Sequence, residues 1–201
     1  MKKAIAIAAA LSATFAAPAL ADWAGPYAGA EASSASGTMS WWDNGVLQPS
    51  TFSLPGQPVG LFAGYNVQSG TYVFGGEVAY SSGKVGLTTG DDTDLSANYY
   101  VDSHVDLKAR AGIAQGNALF YGVVGYSMAA YARPITRGST IIEHNPMSGL
   151  NYGAGMDFMV TDSFFVGGEF LSRTMNGDSI NTALSMQADL QTISLRAGYT
   201  F

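Results

Sequence analysis

A histidine between two carboxylates is the first group that could do chemistry. His104 lies two residues from Asp102 and two from Asp106, and residues two apart on a strand share a face. Neighbouring carboxylates can tune an imidazole for acid–base catalysis. The alternative is a polar member of a buried network. A serine that works with His104 would have to share its face of the strand. Ser103 adjoins His104 and therefore points to the opposite face, so we favour the network.

His144 is a second candidate. Glu143, Ser139 and Ser148 surround it in a long polar segment, and such a group could support acyl transfer. A solvated loop histidine explains the same residues, and we favour that interpretation.

A third candidate is the acidic run with Asp91, Asp92 and Asp94. Closely spaced carboxylates could bind Ca²⁺. The run lacks the glycine and distant glutamate of an EF-hand loop, and ordinary turn chemistry explains it equally well. We therefore expect no metal site, no cofactor and no catalytic residue.

Composition excludes several other classes of site and partner. The chain has no cysteine, so a disulfide framework, an iron–sulfur cluster and a thiol nucleophile are excluded. Its formal charge is −6, which argues against nucleic acid as a partner. Only 12% of the residues are charged although 47% are hydrophobic, and this combination suits a membrane β-barrel.

The first 21 residues have the features of a secretory signal peptide. Lys2 and Lys3 precede an alanine-rich apolar core, and Ala19-Leu20-Ala21 forms a small-x-small cleavage site. We expect cleavage after Ala21, which leaves a mature domain of residues 22–201 with a formal charge of −8. No later stretch has the ~20 apolar residues that a membrane-spanning helix needs.

Period-two alternation runs through the mature chain and predicts eight strands. The segments are 27–37, 59–67, 72–80, 99–113, 119–132, 150–158, 164–173 and 192–201. The alternation leaves the sides of the fifth segment open, because both of its faces are apolar.

Short turns alternate with four longer polar segments, near residues 38–55, 82–97, 133–147 and 174–186. Outer-membrane barrels show this asymmetry between periplasmic turns and extracellular loops. Six aromatic residues beside the short turns should form the periplasmic girdle, namely Tyr65, Tyr72, Phe158, Phe164, Tyr199 and Phe201.

The charges separate a membrane barrel from a soluble one. A soluble barrel would turn its charges outward, whereas a Lys or Arg facing lipid at mid-bilayer costs about 2–4 kcal/mol. The assigned apolar faces carry no charge, so we expect the other face to line a plugged lumen with a paired charge network. That network comprises Glu31, Glu77, Asp102, His104, Asp106, Lys108, Arg110, Asp157, Glu169, Arg173 and Arg196.

Three short motifs resemble those of the porin-like outer-membrane β-barrel family. They are Trp23-Ala24-Gly25-Pro26-Tyr27-Ala28-Gly29, Phe74-Gly75-Gly76-Glu77-Val78-Ala79-Tyr80 and Leu195-Arg196-Ala197-Gly198-Tyr199-Thr200-Phe201. The resemblance implies an OmpA- or OmpX-type barrel and, through Tyr199 and Phe201, recognition by the barrel-assembly machinery. We expect no periplasmic domain after the barrel. The lipid A deacylases of this size use a His-x-Ser pair, and the adjacent Ser103 and His104 do not match that pattern.

The sequence thus predicts an all-β protein, an eight-stranded antiparallel up-and-down transmembrane β-barrel in the outer membrane of a Gram-negative cell. We expect a non-enzymatic structural and surface-interaction role, with lipid and lipopolysaccharide around the barrel. Adhesion, host contact or envelope integrity would depend on the four loops. The alternatives are a lipid A-modifying enzyme and a narrow channel for small solutes.

Overall fold

The computed structural model describes residues 21–47, 52–88, 98–134, 142–178 and 184–201. Nearly all of these residues lie in strands: β1 (Gly25–Asp43), β2 (Val46–Leu47), β3 (Phe52–Ser53), β4 (Val59–Ser69), β5 (Tyr72–Thr88), β6 (Asn98–Gln115), β7 (Ala118–Pro134), β8 (Ile142–Met159), β9 (Phe164–Asp178) and β10 (Leu184–Thr200). None of the described residues forms a helix long and apolar enough to cross a membrane.

The eight long strands close into a barrel. Each of β4 to β10 pairs antiparallel with its neighbour in the chain, β1 pairs with β4, and β10 returns to pair with β1. The closing register runs from Tyr27 opposite Thr200 to Asp43 opposite Leu184. Closure removes both sheet edges, and it confirms the predicted all-β up-and-down barrel.

We call the end of the barrel with the short turns the lower end and the opposite end the upper end. The wall between β1 and β5 is irregular above the start of β4. Residues 54–58 continue the line of β4, where Gly56 bridges to Ala35 on β1 and to Val85 on β5. Pro55 and Pro58 have no N–H to donate, but their carbonyl groups accept from Gly86 N at 2.8 Å and Ser33 N at 2.9 Å. Ala35 and Gly56 also exchange a reciprocal pair of backbone hydrogen bonds at 2.8 and 3.1 Å. This part of the wall is therefore closed by isolated bridges and separate hydrogen bonds rather than by a continuous ladder.

The lower outer wall is apolar on every long strand. On β10 it comprises Ile193, Leu195, Ala197 and Tyr199, followed by Phe201 just after the strand, and the other strands present similar rows. The six predicted girdle aromatics all lie on this wall and are exposed. Nine residues from Ile193 to Phe201 agree with the ~9–11 that a tilted strand needs to cross a bilayer.

The structure also assigns the two sides of β7, which the sequence left open. Leu119, Tyr121, Val123 and Ser127 are buried in the lumen, whereas Phe120, Val124 and Met128 are exposed on the outer wall.

The strands extend well beyond the predicted limits, and this corrects the predicted loops. Residues 38–43, 82–88, 142–147 and 174–178 belong to strands. Their alternation continues with reversed polarity, since Met39, Val85, Met147 and Met175 are buried inside. Outward-facing apolar residues end where the wall leaves the lipid, so their alternation alone predicts loops for these segments.

Glycines opposite lumen aromatics set the packing of the lower barrel. The Tyr27 ring lies over Gly64, Tyr121 over Gly155, and Phe165 over Gly198. A β-carbon at any of these glycines would overlap the ring atoms. The small residue on one strand thus makes room for the ring that reaches across from another.

We predict that Gly155→Ala destabilises the barrel. The added methyl would meet the Tyr121 ring and, at 2.8 Å, the Gly168 carbonyl oxygen, and such overpacking costs about 1–3 kcal/mol. Urea unfolding in liposomes measures the loss. Gly122→Ala is the matched control, because its β-carbon would lie 3.9 Å from the nearest atom, the Gly153 carbonyl oxygen. Equal midpoints for the two variants would contradict this account of the packing.

Candidate functional site

Three cations and three carboxylates meet in the middle of the lumen. Lys108 Nζ lies 2.7 Å from Glu77 Oε1 and 2.6 Å from Glu169 Oε1. Arg110 Nη2 lies 2.8 Å from Asp157 Oδ2, and Arg110 Nη1 lies 3.3 Å from Glu77 Oε2. We call these residues, completed by Arg196, the central cluster.

Arg196 joins the three carboxylates of the central cluster. Its Nη2 lies 2.5 Å from Glu77 Oε2, its Nη1 2.7 Å from Glu169 Oε2, and its Nε 3.7 Å from Asp157 Oδ1. Only 2% of the Arg196 surface is exposed. Buried charges are tolerated when they are paired and hydrogen-bonded, and this guanidinium contacts an acid from each of three strands, β5, β8 and β9.

Two tyrosines and a phenylalanine contact the central cluster, and the sequence did not single out any of them as site residues. Tyr27 Oη donates to Glu77 Oε2 at 2.9 Å and accepts from Arg110 Nη1 at 3.0 Å. Tyr121 Oη accepts from Arg196 Nη1 at 3.1 Å. The Tyr121 ring lies 3.9 Å from the Arg110 guanidinium, and the Phe62 ring lies 4.0 Å from that of Arg196. The central cluster and these three rings together therefore include a side chain from every long strand.

A second ion pair lies above the central cluster. Arg173 Nη2 contacts Asp106 Oδ2 at 2.5 Å, and Arg173 Nε contacts Asp106 Oδ1 at 3.0 Å. Arg173 Nη1 also donates to Thr192 Oγ1 at 2.9 Å, and Ser127 Oγ donates to Asp106 Oδ1 at 2.5 Å. The His104 Nε2 atom lies 3.9 Å from Asp106 Oδ2 and is buried.

Glu31 is buried at the rim of the central cluster. Ser81 Oγ donates to its Oε1 at 3.1 Å. The lumen thus holds five carboxylates and four Lys or Arg side chains among the described residues: Glu31, Glu77, Asp106, Asp157 and Glu169 against Lys108, Arg110, Arg173 and Arg196.

Asp102 does not belong to the lumen network, which corrects the prediction. The pairing of β6 with β7 shifts register between Val101 and Ser103. A bulge of this kind adds one residue and reverses the facing beyond it. Val101 is therefore completely buried and Asp102 is exposed. His104 keeps one of its two predicted carboxylate neighbours.

Apolar layers lie below and above the charges. Below, Trp23 and Tyr27 pack against the Phe165 ring at centroid distances of 5.9 and 6.2 Å. Above, a buried set that we call the upper seal fills the lumen: Ala35, Met39, Leu54, Val85, Val101, Tyr131, Met147, Met175, Met186, Ala188 and Leu190.

The other predicted candidates do not form a site in the described part of the chain. His144 is exposed on β8, while Ser139 and the acidic run of Asp91, Asp92 and Asp94 lie outside the described residues. Within the described ranges, no group of three or more His, Cys, Asp or Glu residues could hold a metal ion.

Comparisons with known proteins agree with this architecture. The sequence matches a family model described as an outer membrane protein β-barrel domain over residues 6–201. Neisserial surface protein A is 14% identical with a TM-score of 0.58, and the alignment covers 88% of this chain and 97% of that chain. OprG of Pseudomonas aeruginosa is 11% identical with a TM-score of 0.49 and coverages of 89% and 96%.

A further solved structure is Ail, the attachment invasion locus protein of Yersinia pestis, which is 16% identical with a TM-score of 0.48 and coverages of 88% and 99%. A search of curated protein sequences finds no match. At 14% identity, the likeness to Neisserial surface protein A supports the fold alone.

We predict that Arg196→Leu lowers the free energy of unfolding by about 3–5 kcal/mol, because its carboxylate partners would lose a buried counter-charge. The urea midpoint in liposomes reports the change. Asp102→Asn removes an exposed charge outside the network and should shift the midpoint by less than about 0.5 kcal/mol. An unchanged midpoint for Arg196→Leu would contradict the assigned role.

Proposed function

Because this chain belongs to the outer membrane protein β-barrel domain family, we propose that it is a non-conducting, non-enzymatic structural barrel that presents a surface for interaction outside the cell. The match confirms the predicted family and the predicted location in the outer membrane. The surface role, which covers adhesion, host contact or envelope integrity, rests on the physical arguments below.

The closed lumen carries this proposal. Eight strands enclose a space that side chains can fill, and here the central cluster spans it with contacts of 2.5 to 3.3 Å between oppositely charged groups. Several residues of the upper seal are completely buried, among them Met39, Val85 and Met175. A solute would have to break buried ion pairs and open an apolar layer, so conduction through this state is unfavourable.

Because the lumen is closed, partners can bind only on the surface of the barrel, and the end opposite the short turns faces the outside of the cell. Loops on rigid scaffolds carry binding residues disproportionately often. At the end opposite the short turns, the described strands stop at Thr88, Pro134 and Asp178 and resume at Asn98, Ile142 and Leu184. The predicted loop residues between them lie outside the described part of the chain. Host or surface ligands would bind at this end.

Export and insertion are part of the same proposal. Residues 1–21 act as a cleaved signal peptide, which leaves residues 22–201 as the barrel domain. Tyr199 and Phe201 are exposed at the end of β10, where their ring centroids lie 5.2 Å apart. Two exposed rings in contact after the last strand suit recognition by the barrel-assembly machinery.

We predict that the folded protein shows no sustained single-channel conductance in planar bilayers, because both the central cluster and the upper seal block the lumen. Heat-modifiable migration in detergent gels verifies that the inserted protein is folded. Regular conductance steps from folded protein would overturn the proposal and favour the narrow channel.

We also predict that replacing residues 89–97 and 135–141 with Gly/Ser linkers abolishes surface interactions, measured as cell adhesion and serum survival, while the barrel still folds. The matched control places a Gly/Ser linker in the periplasmic turn at residues 116–117, and this variant should behave as the parent. Mass spectrometry of lipid A from cells with and without the gene should show identical species. A lipid A modification that depends on the gene would identify an enzyme instead.

A further inference from the structure

The outer wall changes character where β9 and β10 leave the apolar belt. Ile193 on β10 pairs with Phe170 on β9, and both side chains are exposed to lipid. From the next outward row upward, the wall is polar while the lumen becomes apolar. A membrane barrel has an apolar exterior, so these rows stand above the hydrocarbon region.

Three neighbouring strands present a regular polar array in this upper region. The register aligns nine outward residues in three rows: Ser36, Gln191 and Ser172; Thr38, Asp189 and Thr174; and Ser40, Gln187 and Asn176. All nine side chains are exposed or half-buried. We call this set the polar grid. Successive rows lie about 6.7 Å apart along a strand, and neighbouring strands are about 4.8 Å apart.

Hydrogen bonds organise the centre of the polar grid around Asp189. Thr174 Oγ1 donates to Asp189 Oδ1 at 2.8 Å, and Gln187 Nε2 donates to Asp189 Oδ2 at 2.9 Å. The carboxylate is thereby held in one orientation and keeps free lone pairs for further donors. Trp42 lies one row higher on the same face, where it pairs with Ser185.

The chemistry of the polar grid fits sugars better than phosphates. Eight of its nine side chains are uncharged hydroxyls or amides, which both donate and accept hydrogen bonds. The single charge is negative, so a phosphate would be repelled. Sugar hydroxyls can donate to Asp189 and exchange hydrogen bonds with the surrounding groups, and the amphipathic Trp42 ring offers a face for stacking.

Position decides which sugars meet this surface. The polar grid continues the lipid-facing wall directly above the belt, on the same face of the same strands. The group that covers the wall at this height is the headgroup of an outer-leaflet lipid, which in a Gram-negative outer membrane is a glycolipid.

We propose that the polar grid on β1, β10 and β9 binds the core sugars of the lipopolysaccharide around the barrel. This inference concerns the wall rather than the loops and does not depend on the proposed surface role. Sugar binding would fix the orientation of the barrel among its lipids and cover one side of the protruding wall.

The test compares two probes in phosphatidylcholine vesicles that contain the folded mature protein. One is fluorescent lipopolysaccharide with a complete core oligosaccharide, and the other is truncated to lipid A and its innermost sugars. Energy transfer from tryptophan measures the enrichment of each probe around the protein. We expect preferential enrichment of the complete form, unaffected by 0.5 M salt or by chelation of divalent cations, because ionic contacts are screened and hydrogen bonds are not.

The double variant Thr38→Val, Thr174→Val deletes two hydroxyls with little change of shape and retains β-branched residues. It should lower the enrichment of the complete form about fivefold and leave that of the truncated form unchanged. The matched control, Ser82→Ala with Ser103→Ala, deletes two hydroxyls from paired positions on β5 and β6 and should behave as the parent. Asp189→Asn supplies a second test if the valine variant does not fold.

Equal enrichment of the two probes around the parent protein would overturn the proposal, and it would show that lipid A alone sets the contact. The proposal also fails if the valine variant binds as the parent does or if the control loses as much as the variant. The purified system contains no host ligand, so its outcome is independent of the adhesion and conductance measurements.

Discussion

Eight strands enclose a lumen so narrow that a charged side chain inside it can contact partners on the neighbouring strand and across the barrel at once. Glu77 on β5 meets Lys108 and Arg110 on β6 and Arg196 on β10, so one carboxylate connects two regions of the sheet that are far apart in sequence. Removing one partner from such a group leaves a buried charge unpaired in a low-dielectric site. The central cluster therefore links the closure of the barrel to the sealing of its lumen. Together with Tyr27, Phe62 and Tyr121, it constrains the residues on every long strand.

The need for paired charges ends where the bilayer ends, and the barrel then changes to the opposite polarity. Below Ile193 the wall is apolar outside and charged inside, as lipid requires. Above it, Met39, Met175 and Met186 are buried inside while hydroxyls and amides face out, as in a soluble barrel. One continuous sheet thus has a lower outer wall suited to lipid and an upper outer wall suited to water. The upper seal is the apolar core of the part that stands in water.

The sequence was sufficient to predict the architecture because period two and the absence of outward charge identify strands and their sides. Of the eleven residues that the sequence assigned to the lumen network, ten are buried in the structure, and Asp102 is the exception. Individual ion pairs could not be predicted, because the contact of Arg196 with Glu77 depends on closure of the barrel. The bulge that turns Asp102 outward is equally non-local, since it appears only as a register shift between paired strands. Tyr121 was missed because both faces of β7 are apolar.

The two sides of the upper barrel differ in the regularity of their strand pairing. This difference determines which side of the outer wall can hold a regular array of side chains. Residues 54–58 and the register shifts after Ser82 and Val101 interrupt the ladders on the side of β4, β5 and β6. On the other side, β1, β10 and β9 pair without interruption from the lipid belt to Asp43. Bulges twist a wall locally, whereas an uninterrupted ladder holds side chains at constant spacing. The polar grid lies on the uninterrupted side, where its spacing is fixed by the same backbone pairing that closes the barrel.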